Sequence, residues 1–505
     1  MNHLHHLLHS LSAHEVAYLN KSAQTSEKGR PKYLNVMEAI RKQPKYDEVA
    51  LLKQFRREKF VKQFSVMKHY LHHSIMNGLA ARHIADSEEF RLTRQITQIK
   101  ILLNKGLYEL AEDILQPALE ESRTAEAFIE WLDLLALQRY LIVNHFLTHQ
   151  KISLKQNTEE TEQVMLLYSN FLKYQEINSE QSRMSDRSFH IRNEDYLKEH
   201  EMIMKHPLIA DETKALTQRA LFELFMTRLL YYNITDQREA FFQCANQAFQ
   251  QAHACIWLIK FDKLRLLSVY PQLMHAAYLN GKWQVLEETL ELLKKFTPGS
   301  QIQEMAAFTY HISFSLVLLQ ATGRQTELMK TITNAYGKVK HFGNKLRFDA
   351  RSQIIISCMS GTLESGHYEQ AIDWALLFNE FDQGERLDAR LIVDMMELIA
   401  HNELGQLLLV SNLSQAIYQR ALRWGEKGKF EDTFIRFFKK ITSIVEPDEL
   451  SRLYRKTLDD LKEILEGDIV SQNRTIFPIF ETYVQSRIQG VSYHQYLIQS
   501  QSQSH

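Results

Sequence analysis

A chain of 505 residues is long enough for two or three domains or for one extended solenoid. Hydrophobic residues make up 45% of it, and only 16 glycines and 8 prolines interrupt it, which disfavours turn-rich β-sandwiches and barrels and favours long helices on short loops. The net charge of −1 hides an asymmetry: residues 1–83 carry 14 Lys/Arg against 6 Asp/Glu, and the remainder carries 46 against 55.

A basic head on an acidic body can contact nucleic acid, an acidic partner or the body itself, or be a solvated helix surface. Three sparse cysteines, Cys244, Cys255 and Cys358, form no motif and suit buried thiols in a reducing compartment. No stretch is expected to reach the ~18 apolar residues of a membrane span. Met1 to His14 lacks a basic region followed by a long apolar core, so a cytoplasmic protein is expected.

In chain order, Ser12 to Glu15 has the form of a capping box between two short helices that break near Ser10 to Ser12. Residues 21–32, with Gly29 and Pro31, read as a loop. Residues 33–42 and 47–56 read as short helices split by Pro44. A longer helix is predicted over 59–83, with Phe60, Phe64, Met67, Leu71 and Ile75 on one stripe. Residues 160–175 form a helix, and the polar stretch to about Arg192 is either an exposed loop or a second long helix. Ser500 to His505 reads as a frayed tail. The resulting division is a basic head over 1–84, a first hairpin and long connection over 85–205, a repeat array over 206–498 and a disordered tail over 499–505.

A signature recurs along the chain: glycine, any residue, an aromatic, two residues, a small or apolar residue, then apolar residues four and seven further on. Its clear copies are Gly106, Tyr108, Ala111, Leu115, Ala118; Gly281, Trp283, Leu286, Leu290, Leu293, closed by Pro298; and Gly366, Tyr368, Ala371, Ala375, Phe378. Degenerate copies begin at Gly323 and Gly405, and a sixth at Gly428. Glycines 281, 323, 366 and 405 are spaced by 42, 43 and 39 residues. The glycine ends one helix in a left-handed turn, the aromatic opens the next, and the small residue lets antiparallel helices approach. One such hairpin cannot bury its apolar face, whereas several stacked hairpins can.

This spacing resembles the second half of a tetratricopeptide repeat, with a period longer than the usual 34 and Pro117 inside the second helix of the first copy. The chain as a whole resembles a family of uncharacterised helical-repeat proteins of Bacteroidota, through LHSLSAHEVAYL near the start, KFVKQFSVMKHYL at 59–71, NKGLYELAEDIL at 104–115 and KHPLI at 205–209. The resemblances imply an all-α, TPR-like helical-repeat superhelix (an α-solenoid) with a small basic N-terminal helical domain, in a bacterial cytoplasm. They imply no activity and no site.

Motifs for chemistry fail one by one. Gly361 to Gly366 copies the glycine spacing of a phosphate loop, but His367 and Tyr368 replace its Lys and Ser/Thr. No GxGxxG, GxSxG or CxxC occurs, and Met204 stands where the second histidine of a zincin motif after His200-Glu201 belongs. His69 and His73 lie one turn apart on the basic helix without a completing ligand. The reading is therefore a non-catalytic scaffold with no cofactor, no metal and no small-molecule substrate. By analogy with tetratricopeptide geometry, positions three, six and ten before each glycine line a groove for a protein or peptide, giving Lys100, His275, Tyr278, Ser313, Gln320 and Asn402. The alternative is a nucleic-acid-linked regulator using Lys53, Arg56, Arg57, Lys59, Lys62 and Lys68. An enzyme without a recognisable motif is the third reading.

Overall fold

The computed structural model describes residues 2–24, 32–147, 152–187, 194–381, 387–424, 429–467 and 476–503. The regular structure among these residues is helical, with no strand, so the chain is all-α. It divides into two compact units. The first comprises Met1–Lys173, Leu216–Arg219 and Cys255–Asp262, and the second comprises Tyr174–Ala215, Ala220–Ala254 and Lys263–His505.

In the first unit, the basic head gathers around helix Phe64–Asp86. Leu8, Leu34, Val36, Met37, Ile40, Leu51, Phe64, Leu71 and Ile75 form its buried core. Each such aliphatic or aromatic side chain contributes roughly 1.5–3 kcal/mol on burial. The capping box is present: the Glu15 amide donates to Ser12 Oγ at 3.2 Å, and the Ser12 amide donates back to Glu15 Oε2 at 2.7 Å. Helix Ala13–Gln24 extends into the expected 21–32 loop, Lys32 already opens the next helix, Lys32–Arg41, and residues 25–31 lie outside the described residues. This helix approaches Phe64–Asp86 closely, and a Cβ at Gly78 would lie 2.5 Å from Leu19 Cδ2. The long basic helix begins at Phe64 rather than 59. Residues Lys59–Gln63 form a 3₁₀ turn that places Phe60 against Phe55 and Phe64, at ring distances of 5.6 and 6.5 Å.

Helices Arg91–Asn104, Tyr108–Ala125 and Phe128–Val143 follow, each packed on the next. Tyr108–Ala125 runs unbroken through Pro117. The polar connection expected after it is a single 34-residue helix, Leu154–Arg187. Its first-unit part buries Asn157, Val164 and Phe171 at seven-residue spacing. Asn157 donates to the Leu135 carbonyl and to Gln138 Oε1 and accepts from Arg139 Nε. Hydrogen-bonded polar residues thus take seam positions where an apolar pattern would have announced the helix.

In the second unit, helices Ala220–Ile234 (the second-unit part of Gln218–Ile234) and Arg238–Ala254 lead into four hairpins. These are Val269–Leu279 with Trp283–Lys294, Gln301–Ala321 with Gln325–Phe342, Phe348–Glu364 with Tyr368–Phe381, and Leu387–Glu403 with Leu407–Trp424. Each helix packs on the one before and the one after, and the first helices of successive hairpins also touch. Gly281, Gly323, Gly366 and Gly405 all have φ between +63° and +75°. At each turn two hydrogen bonds recur. At Gly366, for example, the His367 amide donates to the Thr362 carbonyl and the Gly366 amide to that of Leu363. The small or apolar residue of each signature, Leu286, Leu328 or Ala371, is fully buried. The same turn recurs 45 residues before Gly281, at Asp236 with φ +53°, where the Gln237 amide donates to the Tyr232 carbonyl. A search keyed to glycine misses it. Gly428 lies outside the described residues, but Phe430, Phe434 and Phe437 after it are buried.

Helices Lys429–Ile441, Pro447–Gly467, Ile476–Ile488 and Tyr493–Gln503 close the unit. Ile476–Ile488 returns onto Leu387–Glu403, and Tyr493–Gln503 onto Phe348–Glu364. Phe434, Phe438, Phe480 and Tyr483 form the buried aromatic centre between them, with Phe434 and Phe480 centroids 4.5 Å apart. The expected frayed tail is helical through Gln503, and Ser504 and His505 lie outside the described residues. A second correction concerns hydropathy: helix Gln301–Ala321 is long and apolar enough to cross a membrane by length and composition alone. Alanine, leucine, isoleucine, valine and phenylalanine dominate it, and the run Thr309-Tyr310-His311 with Ser313 and Ser315 disguises the pattern.

Candidate binding surface

The first helix of each hairpin carries the groove positions. Three residues before the glycines stand Tyr278, Gln320, Leu363 and Asn402. Tyr278 is 43% exposed, Gln320 is half-buried, and Leu363 is fully buried. Asn402 donates to the hydroxyl of Tyr483, itself fully buried. Six residues before, His275, Val317 and Ser360 are half-buried and Ile399 is buried. Ten before, Pro271 and Ser313 are half-buried, whereas Ile356 and Met395 are buried. Openness therefore falls along the chain. The first-helix face is accessible at Val269–Leu279 and Gln301–Ala321, and at Leu387–Glu403 it is covered by helix Ile476–Ile488.

The open part has an aromatic character. Tyr278 stands edge-on to Trp283 at 6.0 Å, and His275 edge-on to Phe241 at 5.7 Å. Burial lowers the His275 pKa, so its ring is held neutral near pH 7. On Gln301–Ala321, Phe308, Tyr310, His311, Phe314 and Val317 are all half-buried. The Tyr310 hydroxyl is raised and His311 lowered, both chiefly by burial. None of these was among the expected groove residues: Val317 lies on the stripe that the positional analogy selects, six before Gly323, and the other four lie off it on a helix that is partly open around much of its circumference. Gln320 is engaged by its neighbour hairpin. It donates to Glu364 Oε2 at 3.0 Å while Ser360 Oγ donates to Oε1 at 2.8 Å. Burial nevertheless holds the Glu364 carboxyl above its ordinary range.

Lys100, in the first unit, forms an exposed ion pair with Asp133 at 3.8 Å. In the same unit lies the basic corner. Lys53, Arg56, Arg57, Lys59 and Lys62 are exposed, and among the described residues none of them pairs with a carboxylate. Nearby carboxylates are committed elsewhere: Glu58 to Lys32 at 2.6 Å, and Glu48 to Lys68 at 2.7 Å. Lys68 is thereby separated in role from the other five. Phe55, Phe60 and Phe64 belong to the head core and offer no free rings for base stacking.

Among the described residues no three His, Cys, Asp or Glu side chains gather as a metal site. Cys244, Cys255 and Cys358 are free and buried, and burial pushes the Cys244 thiol up to about 12. A depression on helix Trp283–Lys294, lined by Gln284, Glu287, Glu288, Glu291 and Lys295, is the outer face of one helix. No family model, no curated protein and no solved structure matches the chain.

Proposed function

We propose that this chain is a non-catalytic, cytoplasmic interaction scaffold in which a TPR-like superhelix holds a peptide segment of a protein partner along its first-helix face. The observation that carries the reading is the accessible aromatic stretch on Val269–Leu279 and Gln301–Ala321, with Tyr278 as its most exposed member. Rigid aromatic side chains on packed helices give large contact area at low entropic cost. A photo-reactive amino acid placed at Tyr278 or Val317 is expected to trap one defined partner in the native cells. The same group at Leu292, exposed on a second helix, is the control. Equal trapping at all three positions defeats the reading.

A second reading rests on a separate observation, five exposed cations between Lys53 and Lys62 that have no carboxylate partner among the described residues. Here the head binds nucleic acid and the repeats sense a partner. Phosphate contacts are lost steeply with salt. Retention on heparin or DNA that falls with salt and disappears when Arg56, Arg57 and Lys59 are changed to Glu supports it. Salt-insensitive behaviour removes it.

A further inference from the structure

Helix Tyr493–Gln503 is attached differently from its predecessor. Ile476–Ile488 buries Ile476, Phe477, Ile479, Phe480, Tyr483 and Val484. In Tyr493–Gln503 only Tyr493, 2% exposed, is buried among the residues up to Ser500. Its other ties are the half-buried Leu497, which packs against the core, the Tyr496 hydroxyl, which donates to Gln485 Oε1 at 2.9 Å, and two polar contacts at its first turn. The Tyr493 amide donates to Glu403 Oε1 at 3.1 Å, and His494 Nδ1 donates to the Glu364 carbonyl at 2.5 Å. The His494 ring lies over the Gly366 turn, where a Cβ would meet it at 3.2 Å. Glu403, almost wholly buried, also pairs with Arg487.

The helix is also self-contained. Gly490, φ +72°, ends the preceding helix with the same two-bond turn as the repeats. Ser492 and Gln495 then form a reciprocal cap, with Gln495 N donating to Ser492 Oγ at 3.2 Å and Ser492 N to Gln495 Oε1 at 3.1 Å. A capped segment on a glycine hinge that fully buries one side chain, where its predecessor buries several, belongs nearer the low-stability end of a structure. Beneath it lies a receptor surface made of the Glu364 carbonyl, the Gly366 turn and the Glu403 carboxylate.

We propose that this surface is a peptide-docking site filled in cis by Tyr493–Gln503, and that a partner segment of the same chemistry displaces it. That chemistry is an uncharged helix with Tyr-His in its first turn: the amide and imidazole N–H groups meet the acceptors, and the tyrosine ring is buried beside Tyr483, with ring centres 6.4 Å apart. The inference rests on the scaffold reading only in assigning the displacing segment to a protein partner, because the cis contact itself is independent of it.

The test uses the full-length chain and a fluorescent synthetic peptide of residues 489–503. A cis segment competes at millimolar effective concentration, so the peptide is expected to bind the Tyr493→Ala chain at least ~10-fold more tightly than the wild type. The peptide carrying Tyr493→Ala is expected to lose that binding. Equal affinity for both chains, or no binding to a Tyr493→Ala chain whose circular dichroism matches the wild type, overturns the proposal. If that variant misfolds, hydrogen exchange on the wild type decides. Amides of 493–503 are expected to exchange well before those of 476–488, and exchange of both helices together overturns it. Peptide binding without trapping at Tyr278 removes the first-helix reading alone, and trapping at Tyr278 without peptide binding removes the strap alone.

Discussion

Glu126 holds Arg219 through both main chain and side chain. Its carboxylate accepts the amides of Gln218 and Arg219 at 2.8 and 2.9 Å, and its carbonyl accepts Arg219 Nη1 at 2.8 Å. The guanidinium lies 4.1 Å from the Phe171 ring centre and 4.3 Å from that of Trp257. Glu126 itself ends helix Tyr108–Ala125 in the left-handed conformation, φ +55°. Four stretches distant in sequence therefore meet at one cap within the first unit. Glu126→Ala and Arg219→Ala are each expected to cost about 1–3 kcal/mol: the first takes the acceptor from two amides, the second takes the guanidinium from the Glu126 carbonyl and the rings, and each removes the charge that faces the other side chain. The double variant should cost clearly less than the sum, and urea unfolding of all four proteins measures this.

The turns give a pair of substitutions of opposite sign. Gly323→Ala meets no atom within 4 Å, so any loss comes from the backbone, at φ +65°. About 1–2 kcal/mol is expected. Asp236 occupies the same conformation with a side chain, and Asp236→Gly should raise stability by up to about 1 kcal/mol. Its exposed pair with Arg238 offsets little of that. Thermal unfolding of the two variants should move in opposite directions.

Gly78 tests close helix approach rather than backbone freedom. Gly78→Ala drives a methyl group into Leu19 and is expected to cost about 1–3 kcal/mol. Adding Leu19→Ala makes room, so the double variant should be more stable than the two separate losses predict. Simple additivity in denaturant titrations would show that the two helices do not constrain each other there.

Burial lowers the proton affinity of His275, and burial together with Lys294 and Lys338 lowers that of His311. For a group whose folded pKa lies below its unfolded value near 6.5, the unfolded chain takes up protons first. Stability is then complete above about pH 6.5 and is lost as the pH falls below it. The unfolding temperature should drop between pH 7.5 and 5.5, and His275→Leu should shrink that drop. An unchanged drop in the variant would assign the pH dependence to other groups.

What could be read from the residues was local. Gly106, Gly281, Gly323, Gly366 and Gly405 mark their turns because a left-handed turn selects glycine, and Leu286 and Ala371 mark tight helix contacts by their size. Asp236 was hidden because an aspartate tolerates the same turn without announcing it. The 34-residue helix was unclear beyond 175 because Asn178 and Gln181 occupy buried positions there, Asn178 satisfied by Thr227 and Arg265 far away in sequence. Tyr278 and His275, chosen by the positional analogy, are at least partly accessible. At Asn402 the surface was not legible, since Tyr483, 81 residues later, bonds to it and its helix covers the face. Such long-range contacts leave no periodicity to find.

Helix Gln301–Ala321 has a consequence for how the chain is made. Only 28% of its most apolar window is buried, although by hydropathy it matches a membrane segment. During synthesis it leaves the ribosome before Gln325–Phe342 and Phe348–Glu364, two of the helices it packs on, exist. Over that interval its apolar surface is open to other nascent chains and to machinery that sorts hydrophobic segments into membranes. The hazard diminishes once translation has passed Glu364, so codon-level pausing between Ala321 and Glu364 would lower the yield of folded protein more than pausing anywhere after it.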